Sequence, residues 1–507
     1  MTTRQQFVSG ISWNTLTVVF QIVVQLVYTG LLARMISESS FALMGIVLAI
    51  MGFAEIFSQI GIGPAIIQRK SIDQGHINGA FYSSLVLGCI FTLLFVVSAP
   101  WIAKIYRIPE LTKIIQVVSS SFVISALAVV PRSIMIKQMR FKRFFMAGMI
   151  SIIGGNIIVG LTLAWLGFDV WSYVWALFAQ NLLMTIGFWM FQKVRVTKGW
   201  SWRYTRELIR YGGGSTLFNA LNYAATKLDV TLVPIFSQGI PGIDQGEQLR
   251  RASMYERSSY VMQQPVTVMG KLSDNVLFSG MARLQDEREK LERTILFATN
   301  SIACVIVPAT IFVDVFAPEI IRIYLGEKFG DAVPVLQVLF LAVIFRTLGK
   351  LADSLLRARD ALFLGSGIKF LYLVMIAVGI LIAMPFGMPA VALSIVVSTF
   401  LNYLMNLFLC RYLIGVSYSL LLRALLPSLV LGGIVWALSY TVHLLALSLE
   451  MGALGILLSG TFVVGICTAV LIYYRPRFLG PAHLNPLSVL PARFMMHPLV
   501  RKMTDRL

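Results

Sequence analysis

Lys227, Arg257 and Lys271 stand in apolar surroundings where a charge needs a reason, as do Arg346 and Lys350 and the acids Glu55, Asp229 and Asp274. An ionisable group in the middle of a membrane-spanning helix costs roughly 2.5–3.5 kcal/mol by insertion scales unless it faces water or a partner. Arg257 and Lys271 are about four helical turns apart, so they share one helix face. With Lys227 they could line a polar cavity for an anion such as a phosphate or diphosphate, the guanidinium gripping its oxygens in bidentate fashion. A plainer reading pairs Lys227 with Asp229 and Lys271 with Asp274, and lets the long stems reach an interface.

Arg346, Lys350 and Asp353 follow at i, i+4 and i+7 and form one helix stripe, which either lines a pathway or makes a salt bridge near the inner surface. Glu55, alone in Met51-Gly-Phe-Ala-Glu-Ile-Phe57, is a candidate proton carrier or a neutral, hydrogen-bonded core carboxyl. It heads the ion-coupling candidates, with Asp229 and Asp274. Other ionisable groups in apolar stretches are Glu256, Asp314 and Lys369.

Several chemistries lack their residues. No GxxxxGK[ST] is present: Gly349-Lys350 is followed by Leu351, which argues against ATP hydrolysis. His76, His443, His483 and His497 are scattered, and no nucleophile motif or metal-ligand spacing accompanies them. Cys89, Cys304, Cys410 and Cys467 each fall in an apolar stretch without CxxC spacing and read as small core residues. Gly212-Gly-Gly214 reads as a bendable helix start rather than a phosphate loop. No cofactor, metal or enzymatic activity is expected.

The elements that must position these charges are membrane helices. The 507 residues are 57% hydrophobic and 13% charged, against roughly 25% charged in soluble domains. Stretches of about 20 apolar residues, the length that crosses a bilayer, give about fourteen spans. The first six are Phe7–Ala33, Phe41–Ala65, Gly79–Ala103, Ile114–Ile136, Phe144–Leu166 and Val170–Phe191. The others are Tyr211–Ser237, Ala252–Phe278, Ile295–Phe316, Val333–Leu356, Leu362–Pro385, Ala390–Leu413, Ala424–Leu447 and Gly452–Tyr474. The first is expected to stay as an uncleaved anchor.

A net charge of +19 would suggest nucleic acid in a soluble protein. Here the basic residues gather on one side of the spans, at Arg132–Arg143, Lys193–Arg210, Arg283–Arg293 and Arg475–Arg506. This positive-inside bias places both termini in the cytoplasm and speaks against nucleic acid. Residues 281–293 read as a solvated helical extension, with acid-before-base pairs Asp286 to Lys290 and Glu289 to Arg293.

Ser133-Ile-Met-Ile-Lys-Gln-Met-Arg140 before the fifth span resembles Ser354-Leu-Leu-Arg-Ala-Arg359 before the eleventh. That offset of about 220 residues, or six spans, makes a parallel repeat. The expected fold is therefore an all-α polytopic membrane protein: two six-helix lobes related by a parallel pseudo-two-fold axis, plus a C-terminal helix pair. The divisions are an N-terminal lobe 1–192, a basic linker 193–210, a C-terminal lobe 211–415, the extra helix pair 416–475 and a basic, Pro-rich tail 476–507.

Lys227-Leu-Asp-Val230, Tyr255-Glu-Arg257 followed by Pro265, Leu284-Gln-Asp286, Ala317-Pro-Glu319 and Tyr324-Leu-Gly-Glu-Lys328 resemble a known family. So do Leu32-Ala-Arg34, Gly52-Phe-Ala-Glu55, Ile60-Gly-Ile-Gly63 and Ile67-Gln-Arg69. It is the polysaccharide-exporting, Wzx-like branch of the multidrug/oligosaccharidyl-lipid/polysaccharide flippase superfamily. The resemblance implies an inner-membrane flippase of bacteria whose two lobes open alternately to each side, carrying an oligosaccharide on undecaprenyl diphosphate. It implies a head group in the basic cavity, a lipid tail left in the bilayer, and a polysaccharide polymerase and chain-length regulator as partners. Gln238–Arg251 departs from it, being longer than the short link expected there. A multidrug-type antiporter would favour an acid-rich cavity, and a glycan ligase or polymerase a substantial outer loop; neither feature is apparent.

Overall fold

A computed structural model of the chain describes residues 20–21, 23–59, 62–68, 72–138, 140–197, 199–239, 244–272, 281, 287–359, 361–474 and 479. Helices account for the regular structure among them, with no strand. In chain order these are α1 (Val23–Met35), α2 (Glu38–Gln59), α3 (Ile62–Gln68), α4 (Gln74–Tyr106), α5 (Glu110–Ser119), α6 (Ser121–Lys137) and α7 (Phe141–Ile152). A π-helical stretch, Ile153–Leu161, joins α7 to α8 (Thr162–Trp165), and α9 (Val170–Phe191), α10 (Trp202–Phe236) and α11 (Gln245–Leu272) follow. Then come α12 (Arg288–Val315), α13 (Ala317–Tyr324), α14 (Val333–Ala358), α15 (Leu362–Ala383), α16 (Met388–Ile414), α17 (Tyr418–Ser448) and α18 (Ala453–Tyr474).

Among the described residues, ten helical segments are long and apolar enough to cross a membrane, so the chain is a multi-pass membrane protein. At the other four expected positions α1 is short, with part of the first span outside the described residues, and α2 has only a short apolar stretch, Glu38–Phe53. There too, α10 and α11 have the length, 35 and 28 residues, but carry the charges that keep them from the apolar class.

Four local expectations change. Gly212–Gly214 lie inside α10, which begins ten residues earlier at Trp202, so the run does not start the helix. The basic stretch before it is partly ordered onto α4: Asn78 Nδ2 donates to Thr197 Oγ1 at 2.7 Å, and Gln74 Nε2 to the Arg195 carbonyl at 2.7 Å. Gln238–Arg251 is not one long loop, because α11 begins at Gln245. Near 281–293 the helix starts at Arg288, and Lys290 pairs with Glu287, while Asp286 lies outside the described residues.

The chain forms two compact units, Met1–Glu256 and Arg257–Leu507, the division falling within α11. In the first, Ile62, Ala65 and Ile66 of α3 pack with Ala80 of α4 and Val129, Val130 and Ile134 of α6. Its α8–α9 corner turns on Gly167 (φ 82°) and Asp169 (φ 44°), and the Asp169 carboxylate accepts from Ser37 N and Oγ, both at 2.8 Å. In the second unit, Ala298, Ala303 and Val307 of α12 pack with Leu348 and Leu351 of α14 and Tyr403 of α16. Small residues at such contacts let helix backbones approach closely, which matters where lipid supplies no hydrophobic drive between helices.

Candidate functional site

In the second unit, Arg257 is 1% exposed, and its guanidinium carbon stands 5.0 Å from the centroid of the Tyr260 ring. A cation held over an aromatic face gains about 2 kcal/mol or more when desolvated. The next residue, Ser258, donates through Oγ to the Ala332 carbonyl at 3.1 Å and seats α11 against the start of α14. One end of the α11–α14 contact is thus fixed. At the other, a methyl group on Gly270 would lie 3.8 Å from Lys350 Cε. Between them the two helices carry Arg257, Lys271, Arg346 and Lys350. Lys271 is the penultimate residue of α11; Asp274 lies outside the described residues.

On α14 the stripe of Arg346, Lys350 and Asp353 divides. Asp353 Oδ1 takes the Lys369 ammonium of α15 at 2.9 Å, while Lys350 Nζ stands 3.9 Å from Oδ2. The Asp353 and Lys369 side chains are 4% and 6% exposed, that of Lys350 24%. Asp353 therefore belongs to a buried ion pair that joins α14 to α15, and Lys350 is the cation nearer to open space. Arg346 is buried one turn before it. Asn402 and Asn406 of α16 are buried as well, and the Asn406 amide would stand 3.8 Å from a methyl group on Gly349.

In the first unit, Asp229 of α10 is fully buried; its Oδ2 accepts from Tyr255 Oη at 3.0 Å and its Oδ1 from Val230 N at 2.9 Å. Lys227, half-buried, lies two residues before it. Glu55 of α2 has a different setting, on the wall of two adjoining cavities of about 130 and 210 Å³. Beside it Tyr223 of α10 packs over Gly52 and donates to the Leu48 carbonyl at 3.2 Å.

A search for charges in apolar spans passes over the neutral amides that share these cavities with Glu55, among them Gln180 and Asn181. The signal was there in the adjacent Gln-Asn pair within the otherwise apolar α9.

Known proteins resemble the chain along most of its length. Residues 31–334 match the family described as "Polysaccharide biosynthesis protein". The lipopolysaccharide biosynthesis protein WzxC of Escherichia coli (strain K12) is 25% identical over 430 residues, covering 82% of this chain and 84% of that one. The succinoglycan biosynthesis transport protein ExoT of Rhizobium meliloti (strain 1021) is 21% identical over 334 residues, covering 66% and 65%. Among solved structures, the lipid II flippase MurJ in an inward closed conformation superposes with a TM-score of 0.69 at 14% identity, over 92% of this chain and 99% of that one. At that identity the match establishes a shared fold.

Proposed function

The chain belongs to the polysaccharide biosynthesis protein family, and from that premise we propose that it is a flippase for a lipid-linked oligosaccharide, moving a repeat unit on undecaprenyl diphosphate across the bacterial inner membrane by alternating access. The observation that carries the reading is Arg257. Its guanidinium is buried in a membrane protein of this family, and its planar fork matches the paired phosphate oxygens that a diphosphate presents. Lys271, Arg346 and Lys350 stand on the same two helices and serve the same anion, with Lys350 the most accessible of the described cations there. Lys227, in the first unit, has the same chemistry to offer.

Each group has a distinct task. Arg257 grips the head group, and Lys350 exchanges its distant acid partner for phosphate. The Asp353–Lys369 pair holds α14 against α15 so that Lys350 keeps its place. Glu55 is the coupling acid, since its wall position gives its proton access to a cavity, whereas Asp229 is committed to Tyr255 and Val230. Both termini are cytoplasmic in this reading, and a polymerase and chain-length regulator act on the delivered units.

Cells lacking the chain should lose surface polysaccharide and accumulate lipid-linked repeat units on the inner leaflet, and Arg257→Ala should reproduce both effects. Repeat units found on the outer leaflet, delivered but unpolymerised, would overturn the proposal.

A further inference from the structure

The two cavities of the first unit are continuous in their lining: Glu55, Ser125 and Asn181 belong to both. The smaller part is mainly apolar, with Phe122 and Phe178 in its wall. The larger is polar, lined by Gln21, Arg132, Gln180, Asn181 and Thr185 along with Glu55. Together their volumes reach the lower end of the range for small-molecule sites, roughly 300–1,000 Å³.

Three amides of the lining are not consumed by the fold. Among the described residues, the side chains of Gln21, Gln180 and Asn181 have no hydrogen-bonded partner, whereas Thr185 Oγ1 in the same lining donates to the Asn181 carbonyl at 2.9 Å, and Asn156 Nδ2, which is not in the lining, donates to Gln25 Oε1 at 3.0 Å. Unpaired amides inside a membrane protein cost free energy unless water or a ligand satisfies them. Their setting is built rather than loose. The π-helical stretch Ile153–Leu161 passes Gly155 against the Gln180 backbone so closely that a methyl group there would lie 2.6 Å from Gln180 Cα. Irregular π turns of this kind occur frequently at functional sites.

The chemistry of the lining selects a ligand class. Its two ionisable groups, Glu55 and Arg132, are of opposite sign, so the lining offers no cluster of cations for a diphosphate and no cluster of acids for an organic cation. Amide groups both donate and accept, as sugar hydroxyls do, and the neighbouring phenyl rings offer an apolar surface for a pyranose C–H face. We propose that this cavity of the first unit is a saccharide subsite, which takes a sugar of the lipid-linked repeat unit and so selects glycan-bearing lipid over bare undecaprenyl diphosphate. The proposal rests on the flippase reading and adds to it where glycan selectivity resides.

The test uses the full chain in nanodiscs and two probes: undecaprenyl diphosphate, and the undecaprenyl-diphosphate-linked repeat unit extracted from cells lacking this chain. Binding is read from tryptophan quenching, for which α9 carries Trp171, Trp175 and Trp189. The native chain should bind the glycan lipid at least tenfold more tightly than the bare lipid. Gln180→Leu with Asn181→Leu should abolish that preference and leave bare-lipid affinity within twofold. A second readout is Ser125→Cys in a chain carrying Cys89→Ser and Cys467→Ser: a small maleimide should label it, and glycan lipid but not bare lipid should protect it. An unchanged preference in the double variant, parallel loss of both affinities, or equal protection by both lipids would overturn the subsite while leaving the flippase reading in place. If the native chain binds neither lipid, the flippase reading falls, and the subsite with it.

Discussion

The two units place polar groups in a membrane protein differently at their candidate sites. The first keeps a cavity in which three amides and three hydroxyls accompany one acid and one guanidinium; the second buries charge, with Arg257 over an aromatic ring and Asp353 against Lys369. Neutral groups can be left waiting for a ligand at modest cost, whereas an uncompensated ion cannot. In the proposed reading the first unit takes hydroxyls and the second takes phosphate, and the buried Asp353 of the second has its counter-ion in Lys369.

The sharpest way to break that contrast is to remove the counter-ion. Asp353→Ala leaves Lys369 buried without its 2.9 Å partner and should destabilise the protein by about 3–5 kcal/mol, seen as a large drop in the detergent unfolding midpoint. Asp353→Leu with Lys369→Met should recover most of it; failure to recover would mean that the pair does more than compensate itself.

Next comes Arg257. Its alanine variant should weaken diphosphate-lipid binding by about 1.5–3 kcal/mol, the worth of a hydrogen bond to a charged group, and Arg257→Lys should restore only part of it, because an ammonium lacks the fork. Complete rescue by Lys would reduce the residue to a point charge. The first unit should respond to shape instead: Gly155→Ala, which meets the Gln180 backbone, should cost about 1–3 kcal/mol by overpacking and impair glycan selectivity before bare-lipid binding.

The smallest effect expected is at Gly433 of α17, where a methyl group meets nothing within 4 Å. Gly433→Ala should be neutral or stabilise by up to about 1 kcal/mol through helix propensity. A loss there as large as at Gly155 would show that both substitutions act through general helix effects rather than through the cavity wall.

Much of the architecture was legible from residue order. Runs such as Val170–Phe191 are too apolar for water and long enough to span, and the structure makes them helices. The motif residues pointed to a family that the comparison with known proteins bears out. The helix stripe of Arg346, Lys350 and Asp353 was legible too, though whether it lined a pathway or made a salt bridge was not. That choice required Lys369, which arrives from the next helix. Distant partners were not legible either: Asp229 finds Tyr255, 26 residues away, through the packing of α10 and α11.

The cavity of the first unit was the least legible feature. Gln21, Glu55, Arg132 and Gln180 come from four separate stretches of chain, and no spacing rule joins them. Hydropathy and helical period are local properties, set by side chains within a few turns, and they determined that this chain enters a membrane as helices with costly charges inside. Which of those charges neutralise one another, and which neutral groups converge on open space, depends on how distant helices rotate and press together. Only the tertiary structure decides that, because a contact between residues a hundred positions apart leaves no period in the sequence.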